Sequence, residues 1–198
     1  MITIEDLKNK VKTICESYTA HPTGGWIMGD GPIPSDILFV GEAPGKTEIQ
    51  VGIPFVGMAG RTFENYLNII GYKRDNIRIT NTCHFRPIKI KTLSNGKPSI
   101  SNRAPNTSEI ALFKDILDAE ILMTNPKIIV TLGNVPLKIL TTFTSIGSCH
   151  GELYVNKLLT RYIFPMYHPS ALTYNRGEEF LKTYEKDWRR LKKTIETL

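Results

Sequence analysis

The chain has 198 residues, 41% of them apolar and 22% charged, which suits a single domain (1–198) with a substantial core. No apolar run approaches the about 20 residues that cross a bilayer, and the start, with Glu5 and Asp6, carries no apolar stretch of a secretion signal. Three scattered cysteines, Cys15, Cys83 and Cys149, argue against a disulfide framework and for the cytoplasm, while a net charge of +6 is compatible with nucleic acid.

Met1 to Ser17 is predicted to be a helix: Ile4, Leu7, Val11 and Ile14 recur at helical spacing, and Thr3 with Asp6 forms a capping-box pattern. Thr19 to Ser35, rich in Gly and Pro, is irregular connection. Asp36 to Val40 is a short, continuously apolar strand, covered on both faces. It ends in Gly41-Glu42-Ala43-Pro44-Gly45. Arg61 to Ile70 fits a helix stopped by Gly71, and Asn76 to Thr80 a second strand ending at Asn81. Arg86 to Pro105 reads as a long polar loop with Arg86, Lys89, Lys91, Lys97 and Arg103 and no acid. Thr107 to Thr124 is a helix capped by Thr107 or Ser108. Lys127 to Leu132 is a third strand, followed after Gly133 by a helix to about Thr142. Ile146 to Arg161 reads as short strands or loops. Tyr162 to Met166 is a fourth strand, and Glu178 to Leu198 a helix with a basic outer face. Alternating strands and helices predict an α/β fold with a mostly parallel sheet between helical layers.

Glu42, Asn81 and His168 each follow a strand, and such a fold gathers strand ends along one edge, where ligands bind. Each residue has an ordinary reading too: a solvated turn carboxylate, an Asn turn cap, a loop histidine before Pro169. Together they describe a pocket with a carboxylate, an amide and an imidazole. One amide can both accept from and donate to a pyrimidine edge. Phe55, on the Gly52–Gly57 loop, is either a core residue or a ring for a base to stack on.

These segments resemble the uracil-DNA glycosylase superfamily, and the family 4 type most nearly. The resemblance rests on Gly41-Glu42-Ala43-Pro44-Gly45-Lys46-Thr47-Glu48, Gly52 to Gly60, Ile79-Thr80-Asn81 with Arg86-Pro87, Asn102-Arg103-Ala104-Pro105, and His168-Pro169-Ser170-Ala171-Leu172, in the family's order. It implies a three-layer αβα fold around a four-stranded, mostly parallel sheet. It also implies a monofunctional enzyme that flips uracil out of DNA and hydrolyses its N-glycosidic bond, leaving an abasic site. By position, Glu42 and His168 are the catalytic pair. Gly41, Ala43, Glu48, Phe55 and Asn81 bind the base. Arg86, Arg103, Ser170 and Leu172 meet the DNA, Leu172 as an apolar wedge. The partner is DNA with uracil or another altered base; the protein is expected to be a monomer, with no membrane partner.

The sequence departs from the family in three places. Family 4 enzymes hold a 4Fe–4S cluster with four cysteines. The matching positions here are Cys15, Tyr18, Phe85 and Phe113, so no cluster and no other cofactor is expected, and the rings should fill its place. Cys83-His84 and Cys149-His150 lack zinc spacing, and no metal is expected there. The Arg86–Asn102 segment is about a dozen residues longer than the family's; it reads as a DNA-facing flap or as solvated chain. Gly45 stands where some relatives place a methyl-excluding tyrosine, which leaves space beside the pyrimidine C5. The competing functions are therefore a glycosylase for another deaminated or modified pyrimidine, or a non-catalytic DNA-binding relative.

Overall fold

The structure, a computed structural model, describes residues 2–156 and 159–198. The expected first helix is α1 (Ile4–Ser17), begun by the Thr3–Asp6 capping box. Met1 and residues 157–158 of the Ile146–Arg161 segment lie outside the described residues. The irregular connection contains a short strand, β1 (Thr23–Trp26). Then come β2 (Ile37–Gly41), a helix not anticipated, α2 (Lys46–Val51), and α3 (Met58–Leu67). The last turn of the predicted Arg61–Ile70 helix tightens into a 3-10 turn, Asn68–Ile70. β3 (Arg78–Asn81) is followed by β4 (Phe85–Thr92) and β5 (Pro98–Asn102).

Strands β4 and β5 correct the predicted loop: Arg86 to Asn102 is a β-hairpin. Ile88 and Ile90 alternate with Lys89 and Lys91, a strand period. Gly96 takes φ 76° in the tip, where Asn95 Oδ1 accepts from the Lys97 N–H at 3.1 Å. An Asn-Gly pair between alternating residues is a strong hairpin signal.

The predicted Thr107–Thr124 helix is two pieces, α4 (Thr107–Ala111) and α5 (Lys114–Thr124). Its cap is Asn106, not Thr107 or Ser108: Asn106 bonds the Glu109 N–H, and the Glu109 carboxylate bonds back to Asn106 N–H at 2.8 Å. Between the pieces Phe113 leaves helical geometry and buries its ring. The chain continues through β6 (Ile128–Leu132), α6 (Asn134–Leu140), β7 (Tyr154–Asn156), β8 (Arg161–Met166), α7 (Ala171–Tyr174) and α8 (Glu178–Thr197).

The main sheet runs β3-β2-β6-β8-β7. Its first four strands are parallel, as expected, and β7 adds an antiparallel edge. Every residue of β2 is buried because the sheet is covered on both faces. Ile37 and Phe39 pack toward Phe63 of α3 and Trp188 of α8; Leu38 and Val40 pack toward Leu117 and Ile121 of α5. A second, antiparallel sheet, β1-β4-β5, stands apart. Parallel pairing leaves Gly41, Asn81, Leu132 and Met166 at one edge of the main sheet. The connections leaving that edge build the site.

Candidate active site

Register places Gly41 directly beside Asn81 on the neighbouring strand. The Glu42 carbonyl accepts from Cys83 N–H at 3.0 Å and Thr82 Oγ at 2.8 Å, so the turn after β2 is tied to the turn after β3. A Cβ on Gly41 would lie 2.5 Å from Asn81 Oδ1 and 2.7 Å from the Phe55 ring. Only glycine allows the amide and the ring to close over the backbone there. The Asn81 amide makes no hydrogen bond among the described residues, although the residue is only 4% exposed. The Glu42 carboxylate, half-buried in the cleft that Asn81 also lines, has no hydrogen-bond or ion-pair partner among the described residues, and burial raises its pKa above the ordinary value.

Phe55 holds a left-handed φ of 54°, uncommon for a bulky side chain. The guanidinium of Arg74 secures it by donating to the carbonyls of Pro54 and Phe55. The Phe55 ring stands 5.6 Å from the His168 imidazole, centroid to centroid. His168 Nδ1 accepts from the Ser170 backbone N–H at 3.1 Å and lies 2.7 Å from Ser170 Oγ. An acceptor Nδ1 requires the proton on Nε2. Burial holds the His168 pKa down to about 4, so the imidazole is neutral and its Nε2–H is a donor.

Glu42, Ala43, Glu48, Phe55, Asn81, Arg103, His168 and Ser170 line a single cleft of about 730 Å³. The expected carboxylate, amide, imidazole and ring are thus brought together. For five other expectations the structure shows a different setting. Glu48 reaches the cleft, but its Oε1 accepts from the Gly57 N–H at 2.8 Å and so ties the Phe55 loop to the Gly45 turn. The space beside Gly45 is not empty, since a Cβ there would lie 2.6 Å from Glu48 Oε2. Arg86 is buried behind the cleft, its Nε 2.7 Å from Asn102 Oδ1. Arg103, at the cleft wall, pairs with buried Glu109 through two bonds, at 2.6 and 2.5 Å. Leu172 is half-buried against the core, whereas Tyr174 at the cleft rim is 88% exposed.

Sequence reasoning missed Lys46, Asn102 and Tyr174, which also line the cleft. Lys46 is exposed and without an ion-pair partner among the described residues. Its place directly after the Ala43-Pro44-Gly45 turn was the available signal.

The residues matching the family's cluster ligands converge in one buried group: Cys15, Tyr18, Phe85 and Phe113, with Cys83 and Val11. Tyr18 stacks on Phe85 at 4.8 Å, and Phe85 meets Phe113 edge-on at 5.3 Å. Burial pushes the Cys15 thiol up to about 12 and raises that of Cys83, so neither is a thiolate. One sulfur and three rings at the matching positions do not fit an iron–sulfur cluster. Cys83 belongs to this group and Cys149 to another. Among the described residues no three His, Cys, Asp or Glu stand together as metal ligands.

The fold is thus a parallel α/β sheet with an acid, an amide and an imidazole at its ligand edge. A family model described as "Uracil DNA glycosylase superfamily" matches residues 28–192, and the chain belongs to that superfamily. It is 36% identical to a type-4 uracil-DNA glycosylase of Sulfurisphaera tokodaii, over 84% of this chain and 73% of that protein. It is 31% identical to one of Thermotoga maritima, over 98% of each. The crystal structure of Pedobacter heparinus SMUG2 has the same fold, with a TM-score of 0.52 at 13% identity over 97% of this chain and 99% of that one.

Proposed function

We propose that the protein is a monofunctional DNA glycosylase that releases uracil from DNA as a cytoplasmic monomer, without a metal or organic cofactor. The observation that carries this is the convergence of a neutral Nε2–H, an unpartnered amide and an unpartnered carboxylate around the Phe55 ring.

Each group has one task. The base leaves the stack at a cost of roughly a few kcal/mol and slides over Phe55. Asn81 reads its edge, accepting from N3–H and donating to O4. Cleavage of the N-glycosidic bond puts negative charge on the departing base and positive charge on the sugar. His168 Nε2–H stabilises the first at O2, a contribution of roughly a hundred- to a thousandfold for one such donor. Glu42, ionised, stabilises the second and orients the attacking water. Ser170 is a positioning residue, since it keeps the proton on His168 Nε2. Glu48 Oε2, filling the space beside Gly45, excludes a C5 methyl. Lys46 meets a flanking phosphate in place of Arg86 and Arg103. Tyr174 takes the wedge position at the rim in place of Leu172.

The test is a gel assay on single- and double-stranded oligonucleotides carrying uracil, hypoxanthine, xanthine or hydroxymethylcytosine, with alkali to break abasic sites. Cleavage at uracil that is lost in Asn81→Ala and Glu42→Ala supports the reading. Preference for another base transfers the mechanism to that base. Tight DNA binding without cleavage of any substrate identifies a non-catalytic relative.

A further inference from the structure

The β4–β5 hairpin has two unlike faces. Residues paired directly across the ladder share a face, so Ile90 and Ile100 stand together on one side, with Asn102 further along it. Lys89 and Lys91 stand on the other, opposite Ser101 and Ser99. Ile90 is 53% exposed and Ile100 54%, a solvent-facing apolar pair on the outer part of the ribbon. Between Pro87 and Asn102 the charged residues are Lys89, Lys91 and Lys97, all positive and all exposed. The base of the ribbon supplies Pro87 and Asn102 to the cleft wall, and Asn102 Nδ2 approaches Gly45. Its footing is firm. Arg86 grips Asn102 from behind, and Arg103 joins the Ile88 carbonyl to buried Glu109.

We infer that the exposed part of the ribbon, Lys89–Ser101, is an arm that lies in a groove of duplex DNA beside the nucleotide held in the cleft. This rests on the proposed glycosylase reading for what the cleft holds. The charge pattern selects the occupant: three cations without one acid suit a polyphosphate and repel a basic protein surface. The shape fits as well, because a two-stranded ribbon enters the major groove. The Ile90–Ile100 side, continuous with the cleft wall, faces the groove floor and the apolar edges of bases there. Lys89, Lys91 and Lys97 reach along their aliphatic stems to phosphates on the groove walls. The arm would thus favour duplex over single-stranded substrate without touching the reacting bond.

Two exposed-site variants test this in the full chain. One carries Lys89→Gln, Lys91→Gln and Lys97→Gln; the other carries Ile90→Ser and Ile100→Ser. Affinity for a fluorescent uracil-containing duplex is measured over a range of salt concentrations. Turnover is measured on a single-stranded oligonucleotide too short to reach the arm. The lysine variant should flatten the slope of log affinity against log salt by about 2 to 3, as each lost phosphate contact contributes about 0.9. The isoleucine variant should keep the slope and lose about tenfold in duplex affinity. Turnover on the short strand should be unchanged in both. A wild-type protein that binds duplex with this slope but cleaves nothing sinks the glycosylase reading and leaves the arm standing. Unchanged slope and duplex affinity in both variants overturn the arm. So does a change of oligomeric state in size-exclusion chromatography with DNA binding intact, which would make the ribbon a protein contact.

Discussion

His168 and Glu42 are set apart by their surroundings more than by their chemistry. Both are screened from water, and the consequences have opposite sign. Burial lowers the histidine pKa to about 4 and raises that of the carboxylic acid. Between those limits and neutral pH the pair stands as neutral donor and anion. The rate of base release should therefore show no break near the usual histidine value of about 6.5. It should fall at acid pH as Glu42 takes up a proton, with a midpoint above the ordinary 4.5 of a glutamate. In Glu42→Gln the residual rate should instead break near 4, where His168 titrates. A pH–rate profile of wild type and variant checks this; a break at 6.5 would mean a freely hydrated imidazole. Glu48 carries a second expectation at this scale. Shortening it in Glu48→Ala opens the space beside Gly45, so thymine release from a T·G mismatch should be negligible in wild type and measurable in the variant. The Gly57 loop also loses its anchor, so uracil release should weaken too.

Elements are placed by long-range polar ties that no local pattern announces. Glu109 is the main one. It caps α4 through Asn106, pairs with Arg103 at the ribbon base, and accepts from the Tyr18 hydroxyl at 2.7 Å. Burial alone would raise its pKa, but bonds from Arg103, Asn106 and Tyr18 outweigh burial and hold it at about 2. A carboxylate depressed in the folded state stabilises above its unfolded pKa and loses that contribution as pH falls through the folded value. Glu109→Gln should thus cost about 3 kcal/mol at neutral pH, as breaking a buried pair does. The deficit should shrink between about pH 4.5 and 2, read from chemical denaturation at stepped pH. The same network explains what sequence could and could not disclose. Glu42, Asn81 and His168 were legible because each follows an apolar strand at a turn. Arg86 and Arg103 were expected at phosphates, and the protein partners they have in the structure were not foreseen, because a sequence displays a charge and hides its partner. The Asn95-Gly96 turn was in plain view, but the lysines around it suggested loop; strand alternation at Ile88 and Ile90 was the stronger signal.

At the scale of the whole molecule, a parallel sheet aims four strand ends at one cleft, and an antiparallel sheet raises a basic ribbon beside it. The layer order was readable from the alternation of strands and helices. The pairing of β7 as an antiparallel edge and the short strand β1 were not, because strands of three and four residues carry no long apolar run. Tyr18, Phe85 and Phe113, at the positions that the resemblance assigns to cluster ligands, pack together, so aromatic contacts tie α1, β4 and the α4–α5 junction together. On the function proposed above, the chemistry depends on protein side chains alone. The direct measurement is release of free uracil, quantified by chromatography, from a uracil-containing oligonucleotide. The protein should be shown iron-free by elemental analysis and assayed with a metal chelator present. The account predicts one uracil for each abasic site formed, and loss of both in Asn81→Ala. No uracil release by the iron-free protein, with DNA still bound, would contradict it.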